Sequence, residues 1–185
     1  ESGPGLQKLT NGIHKEGAAA SKQMGHCGNM GHRSICGCMP VSASSGFNMY
    51  SPTFVRAMKK TEILQMVKDF GKATELARES GFDAVEIHAG HGYLLSQFMS
   101  QWLNRRKDEY GGSFENRLRF TSQAMEEVME VATRHNIAVL VKMNMRDGFR
   151  GGMELDESLE VARLLEKLGV NALVLSGGYV SRAPM

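Results

Sequence analysis

Little in this chain points toward membranes, export or polyanions. No apolar run approaches the roughly 20 residues that cross a bilayer, and no charged-then-apolar leader opens the sequence. A net charge of +2 gives no reason to invoke nucleic acid or a membrane surface as a partner. Cysteine is scarce and odd in number, three in all, with Cys36 and Cys38 too close for an ordinary structural bridge. Reduced thiols in a cytoplasmic protein are the expectation. Cys27, Cys36 and Cys38 with His26 and His32 lack the second paired knuckle of a structural zinc site, so no metal is expected. There is no low-complexity segment and no repeat. What remains is 185 residues of ordinary globular composition, enough for one domain with a sizeable core. The chain starts at Glu1 rather than Met, and its ESGPG opening reads as cut from something longer. A single domain truncated at both ends is therefore expected over residues 1–185.

The apolar pattern alternates between strand and helix. Leu6, Leu9 and Ile13 share a helical face, with Gly17 as the stop. A short strand follows at Ala18–Gln23, then a loop rich in Gly, Ser and Cys from Met24 to Met58. Thr61 is a candidate cap for a helix carrying Ile63, Val67, Phe70, Ala73, Thr74 and Ala77 at the 3.6 period, ended by Gly81. Strand Asp83–His88 is next. Ser113 then caps a helix that buries Leu118, Met125, Val128 and Ala132. Strand Ile137–Lys142, a Gly-rich loop, helix Asp156–Leu168 and strand Asn171–Ser176 complete the order.

Strand and helix in steps of about 40 residues imply a parallel sheet with right-handed crossovers. An open doubly wound sheet and a barrel both fit. Strand parity favours the barrel: Val85 and Ile87 share one face, and Ala84, Glu86 and His88 the other. Lys142 likewise ends the polar parity of its strand. Barrel enzymes place their chemistry at such strand ends. A full barrel takes about 250 residues, and only four strands are read here. The expected fold class is α/β, a partial (β/α)8 TIM barrel holding strands three to six.

Chemistry concentrates after strand Asp83–His88. His88, His91 and Tyr93 stand within six residues, and two imidazoles beside a phenol suit binding an oxyanion and delivering a proton. The alternative is a turn-capping His and a packing Tyr. Downstream, Asp108, Glu109 and Glu115 lie among Arg105, Arg106, Arg117 and Arg119, which reads as an ion-pair lattice pinning a loop. The segment MRDGFRGG, 145–152, has the look of a lid or substrate loop, and it lacks the strand and helix framing of a nucleotide fingerprint.

The run from Gly81 to Phe120 contains H-x-x-H-x-Y at His88, His91 and Tyr93, then NRRKDEYGGSFENRLRF. It resembles the signature of the old yellow enzyme family, the NADH:flavin oxidoreductases. Gln23-Met24-Gly25-His26 is similar to that family's Q-[LM]-x-H motif, and the resemblance covers about Leu6 to Ser176. It implies an FMN-dependent oxidoreductase in which hydride passes from NADH or NADPH to FMN and on to an activated alkene such as an enone, dienoyl or nitro acceptor. By resemblance His88 and His91 bind the acceptor's oxygen and Tyr93 donates the proton. Gln23 faces the flavin pyrimidine edge, and Lys142, where most relatives carry Arg, faces flavin N1 and O2. Ser176 and Gly177 lie in a turn near flavin or substrate. His26 is read as structural, near the flavin.

Lys142 shares its parity with Glu86, so an ion pair between them is expected inside the barrel, and Lys22 has no ready explanation. Some relatives carry an iron–sulfur cluster, but its cysteines would lie outside these strands. So would the phosphate-binding loops of the flavin. Two readings follow: the central segment of a working FMN enzyme acting on a small molecule, or a non-catalytic piece that cannot hold FMN alone. The second would pair with a complementary piece, or with its own copies as a homo-oligomer, through unsatisfied edge strands.

Overall fold

Strands and helices alternate along the chain as their hydrophobic periods demand. The computed structural model describes residues 3–180; Glu1, on which the truncation expectation partly rests, lies outside them. Helix α1 (Gly3–Lys15) leads into β1 (Ser21–Met24). A 3-10 turn at Gly28–Met30 and the short α2 (Arg33–Cys36) follow, then β2 (Val41–Ser42), β3 (Gly46–Asn48) and β4 (Thr53–Ala57). Next come α3 (Lys60–Glu79), β5 (Ala84–His88), α4 (Leu94–Met99), α5 (Phe114–His135), β6 (Ala138–Asn144), α6 (Leu155–Lys167) and β7 (Ala172–Ser176).

The main sheet runs β1-β5-β6-β7, every pair parallel. Its register sets Gln23 beside Glu86, His88 beside Lys142 and Asn144 beside Ser176. Thus the polar residues read from the sequence gather toward the C-terminal ends of adjacent strands. The opposite parity is apolar and sealed: Val85, Ile87, Val139 and Val141 are fully buried. Ile63, Phe70 and Ala77 of α3 join that core, with Phe120, Ala124, Met125 and Val128 of α5. Burying each of the larger of these side chains contributes about 1.5–3 kcal/mol. Phe98 of α4 meets Phe120 edge-to-face, with ring centres 4.7 Å apart.

Several expectations need correction. Helix α3 starts earlier than Thr61: Lys59 is its cap residue, and the Glu62 carboxylate accepts the Lys59 N–H at 2.8 Å while pairing with Arg56. Leu9 of α1 is half exposed, whereas Thr10 is buried, its hydroxyl donating to Ser80 O at 2.7 Å. The stretch 24–58 is not all loop. It builds a second, three-stranded sheet in the order β2-β4-β3, of which β2 and β3 are too short to show a period. Helix α4 escaped notice because all six of its residues are buried, which erases amphipathic contrast.

The expected ion lattice is mainly a set of arginines gripping backbone. Arg106 pairs with Asp108 and also donates to Ala43 O and Met58 O. Arg119 donates to Glu109 O, and Arg105 to Ser45 O. Buried Arg117 donates to Met99 O and pairs with Glu157 of α6, not with a member of the run. Glu109 pairs with Lys60. A guanidinium carries five donors in a rigid fork, so it can satisfy several carbonyls at once. Among the described residues no helix is long and apolar enough to cross a membrane.

Candidate active site at the strand ends

β5 exits through a tight turn that throws its polar side chains into one place. His91 takes a left-handed conformation, φ 59°, as does Gly92, φ 83°. Any Cβ at Gly92 would stand 2.4 Å from Tyr179 Cε1, so only glycine fits. The turn stacks three rings edge-to-face: His88 lies 4.9 Å from His91 and 4.7 Å from Tyr93. Burial, with His91 and Lys142 adding repulsion against Glu86's attraction, brings the His88 imidazole down to about 4. Burial and then Lys142 also lower His91. The His88 ring is therefore neutral near pH 7. Its Nδ1 accepts the Gly90 N–H at 3.3 Å, which puts the ring proton on Nε2 as a donor.

Three buried side chains absent from the sequence reading hold this turn. Gln97 of α4 donates to Gly92 O at 2.6 Å and to Asn29 Oδ1 at 2.8 Å, and its Oε1 accepts Asn29 N–H at 3.1 Å. It so ties the β5 exit to the loop after β1. Asn144, at the end of β6, accepts the His91 N–H and donates to Asp147 Oδ1 and Gly178 O, both at 2.8 Å. Asp147 in turn accepts the Met153 N–H at 2.8 Å, and burial raises its carboxyl. No periodic signal marked them: α4 lacks amphipathic contrast, Asn144 falls on the polar parity of β6, and Asp147 lies in the loop after it.

The segment 145–152 is accordingly pinned rather than lid-like. Besides Asp147, its Phe149 packs edge-to-face on Tyr179 at 5.3 Å and on Trp102 at 5.5 Å.

Gln23, Gly25, His26, Cys27, His88 and Tyr93 line one open cleft of about 250 Å³. That is short of the roughly 300–1,000 Å³ of a complete ligand site, so these residues form one wall. Gln23 Nε2 donates to Glu86 Oε1 at 2.6 Å. His26 Nδ1 accepts the Gly28 N–H, and burial lowers the ring. His91, Lys142, Ser176 and Gly177 stand outside the cleft lining. His91 Nε2 meets Ser176 Oγ at 2.7 Å, and Gly177 abuts Arg146 O.

The expected Glu86–Lys142 ion pair does not form. Register sets Glu86 beside Leu140 and gives its carboxylate to Gln23, while Lys142 makes no ion pair among the described residues. Lys22 now has a role, its ammonium 5.5 Å from the centre of the Phe82 ring. Among the described residues no group of three or more His, Cys, Asp or Glu converges on a metal position.

Comparison with known proteins assigns the chain to a family. Residues 1–183 match the NADH:flavin oxidoreductase / NADH oxidase family. A 4,4'-dithiodibutanoate disulfide reductase of Rhodococcus erythropolis is 39% identical over 95% of the chain and 43% of its own length. An NADPH dehydrogenase of Listeria monocytogenes is 36% identical over the whole chain and 53% of its own length. The solved old yellow enzyme homologue from Zymomonas mobilis superposes with a TM-score of 0.83 at 28% identity, over 95% of this chain and 52% of that one. The chain thus spans about half the length of the curated relatives it matches. Its parallel sheet and helices are a partial (β/α)8 barrel of the old yellow enzyme type. By this match and this fold, the chain belongs to the NADH:flavin oxidoreductase / NADH oxidase family.

Proposed function

We propose that these strand ends serve an FMN-dependent oxidoreductase that draws hydride from NADH or NADPH and reduces a small activated alkene. The supporting observation is the convergence of Gln23, His88 and Tyr93 on one cleft. The donor set suits a flavin edge. Gln23 keeps its amide oxygen and one N–H for a ligand after serving Glu86, and Lys142 offers a cation that no carboxylate among the described residues neutralises. Gln23 and Lys142 would hold the FMN, with Ser176 and Gly177 at the neighbouring turn. FMN, when bound, supplies the two-electron carrier.

The protein's own groups do the rest. The neutral His88 presents its Nε2–H to an acceptor oxygen without introducing a second cation beside Lys142. His91, its Nε2 held by Ser176 Oγ, presents Nδ1. Tyr93 at the head of α4 provides the phenolic proton. Substrate is a small molecule, and the setting is the cytoplasm.

The test is to add FMN to the purified chain, desalt, and record the visible spectrum. Retained yellow colour, bleached by NAD(P)H and restored by 2-cyclohexenone, is the expected result. Tyr93→Phe should keep the colour and slow only the reoxidation. The Rhodococcus relative is named for a disulfide substrate, so 4,4'-dithiodibutanoate belongs among the acceptors. Because the chain spans about half of its relatives, the second reading is a piece without catalysis of its own. A colourless product would favour it.

A further inference from the structure

Cys27 and Cys36 stand nine positions apart in the sequence, yet the loop between them closes so that both thiols flank Gly31. Cys27 caps the 3-10 turn and lines the cleft, and Cys36 ends α2. Gly31 lies between the sulfurs: a Cβ built there would stand 3.2 Å from Cys36 Sγ and 3.3 Å from Cys27 Sγ. Burial, and then the neighbouring Cys36 thiol, raise the Cys27 thiol above its ordinary value. Both are free, and both residues are exposed to solvent.

The backbone on each side is held. Cys27 O accepts N–H groups from Met30 and from the Gln97 amide, while Cys36 N–H donates to His32 O at 2.9 Å. Cys38 lies beyond Gly37, φ 70°, and is not among the three atoms nearest a Cβ at Gly31.

We infer that Cys27 and Cys36 form a reversible intramolecular disulfide at the mouth of the cleft, closed by a low-molecular-weight disulfide. One cysteine thiolate attacks a sulfur of the compound RSSR, forming a mixed disulfide and releasing RS⁻, which takes up a proton. The second cysteine then loses its proton and attacks the protein-bound sulfur, closing Cys27–Cys36 and releasing the second RSH. The protein gives up two electrons and two protons, and RSSR becomes two RSH. Excess thiol reverses both steps. The closed form clamps α2 onto the turn that Gln97 joins to His88–Tyr93. It needs no flavin.

The chain should be equilibrated in glutathione buffers of graded GSH to GSSG ratio, acid-quenched, alkylated and mapped by mass spectrometry. Circular dichroism of the same samples confirms that they are folded. The expected product links Cys27 to Cys36 and leaves Cys38 alkylated. The bond should be at least about tenfold more resistant to GSH in the folded chain than in urea, since the fold, not the short sequence spacing, brings the sulfurs together. Gly31→Ala, whose φ of −63° suits alanine, should shift the equilibrium toward the dithiol by crowding both sulfurs. Cys38→Ser should change nothing. Equal stability in buffer and urea, indifference to Gly31→Ala, pairing through Cys38, or glutathione adducts alone would each overturn the assignment.

Discussion

The side-chain oxygen of Asn144 receives the backbone N–H of His91 at 3.1 Å, across 53 positions of sequence. That bond fixes the left-handed His91 from the end of a neighbouring strand, while the Asn144 amide nitrogen serves Asp147 and Gly178. Asn144→Asp keeps the acceptor and destroys both donors, setting a carboxylate against the Asp147 carboxylate. A loss of about 3 kcal/mol is expected from the unpaired buried groups. Burial already raises Asp147, so its protonated form is favoured by folding. The added instability should therefore shrink as pH falls and grow as pH rises through the carboxyl's folded value. Urea unfolding at pH 5 and pH 8 measures this.

His88 gives the second prediction. Its ring is held down to about 4 from an ordinary 6.5, so the unfolded chain binds its proton first as the solution is acidified. His88's stabilising contribution is complete above pH 6.5 and disappears on descent to about 4. The amount at stake is about 3 kcal/mol. An NMR titration should place the His88 midpoint near 4. Lys142→Met removes a repelling cation, so the His88 and His91 midpoints should both rise. With Glu86 paired to Gln23, that substitution should leave stability above pH 7 nearly unchanged. A large loss there would show that Lys142 has a structural partner after all.

Gly92→Ala tests the turn itself. The substitution meets both a positive φ of 83° and the Tyr179 ring at 2.4 Å. A destabilisation of about 2–4 kcal/mol is expected from backbone strain and overpacking, read as a fall in thermal midpoint. Gly112→Ala provides the contrast: its φ is 84°, but nothing lies within 4 Å of an added Cβ. It should cost only the backbone part, about 1–2 kcal/mol.

Arg117 supplies a fourth. Its buried guanidinium joins α5 to Met99 O, Gly112 O and the Glu157 carboxylate. Removing one member of a buried pair costs about 3–5 kcal/mol, and Arg117→Met should reach that range in equilibrium unfolding. Arg117→Lys should recover only part of it, because an ammonium cannot reproduce the fork. Glu157, one-quarter exposed at its side chain, should tolerate Gln better than Arg117 tolerates Met.

What the sequence disclosed divides by length and by polarity. Helices α3 and α5 were readable because each repeats its period over several turns, as Ile63–Phe70–Ala77 does, and strands β5 and β6 because apolar residues alternate along them, as Val85 and Ile87 do. Strand β2 has two residues and β3 three, too few for any period. His88, Tyr93 and Gln23 were legible as a cluster from strand parity and resemblance, and they share a cleft. The Glu86–Lys142 pairing was misjudged because parity fixes a face but not a register: one step of two residues separates Glu86 from the partner row of Lys142. Gln97, Asn144 and Asp147 went unread because a buried amide looks, in sequence, like any polar residue. Only the carbonyls and N–H groups around it reveal why it is inside.

The crossed rings of His88, His91 and Tyr93 also give the site a built-in ruler readable by NMR. With planes 72° and 85° apart and centres under 5 Å, a proton on one ring edge points into the circulating π electrons of its neighbour. Such protons should resonate upfield of those in free imidazole and phenol. Their chemical shifts therefore register sub-ångström changes in ring spacing, so the wall of the cleft announces the arrival of any planar guest through its own aromatic lines.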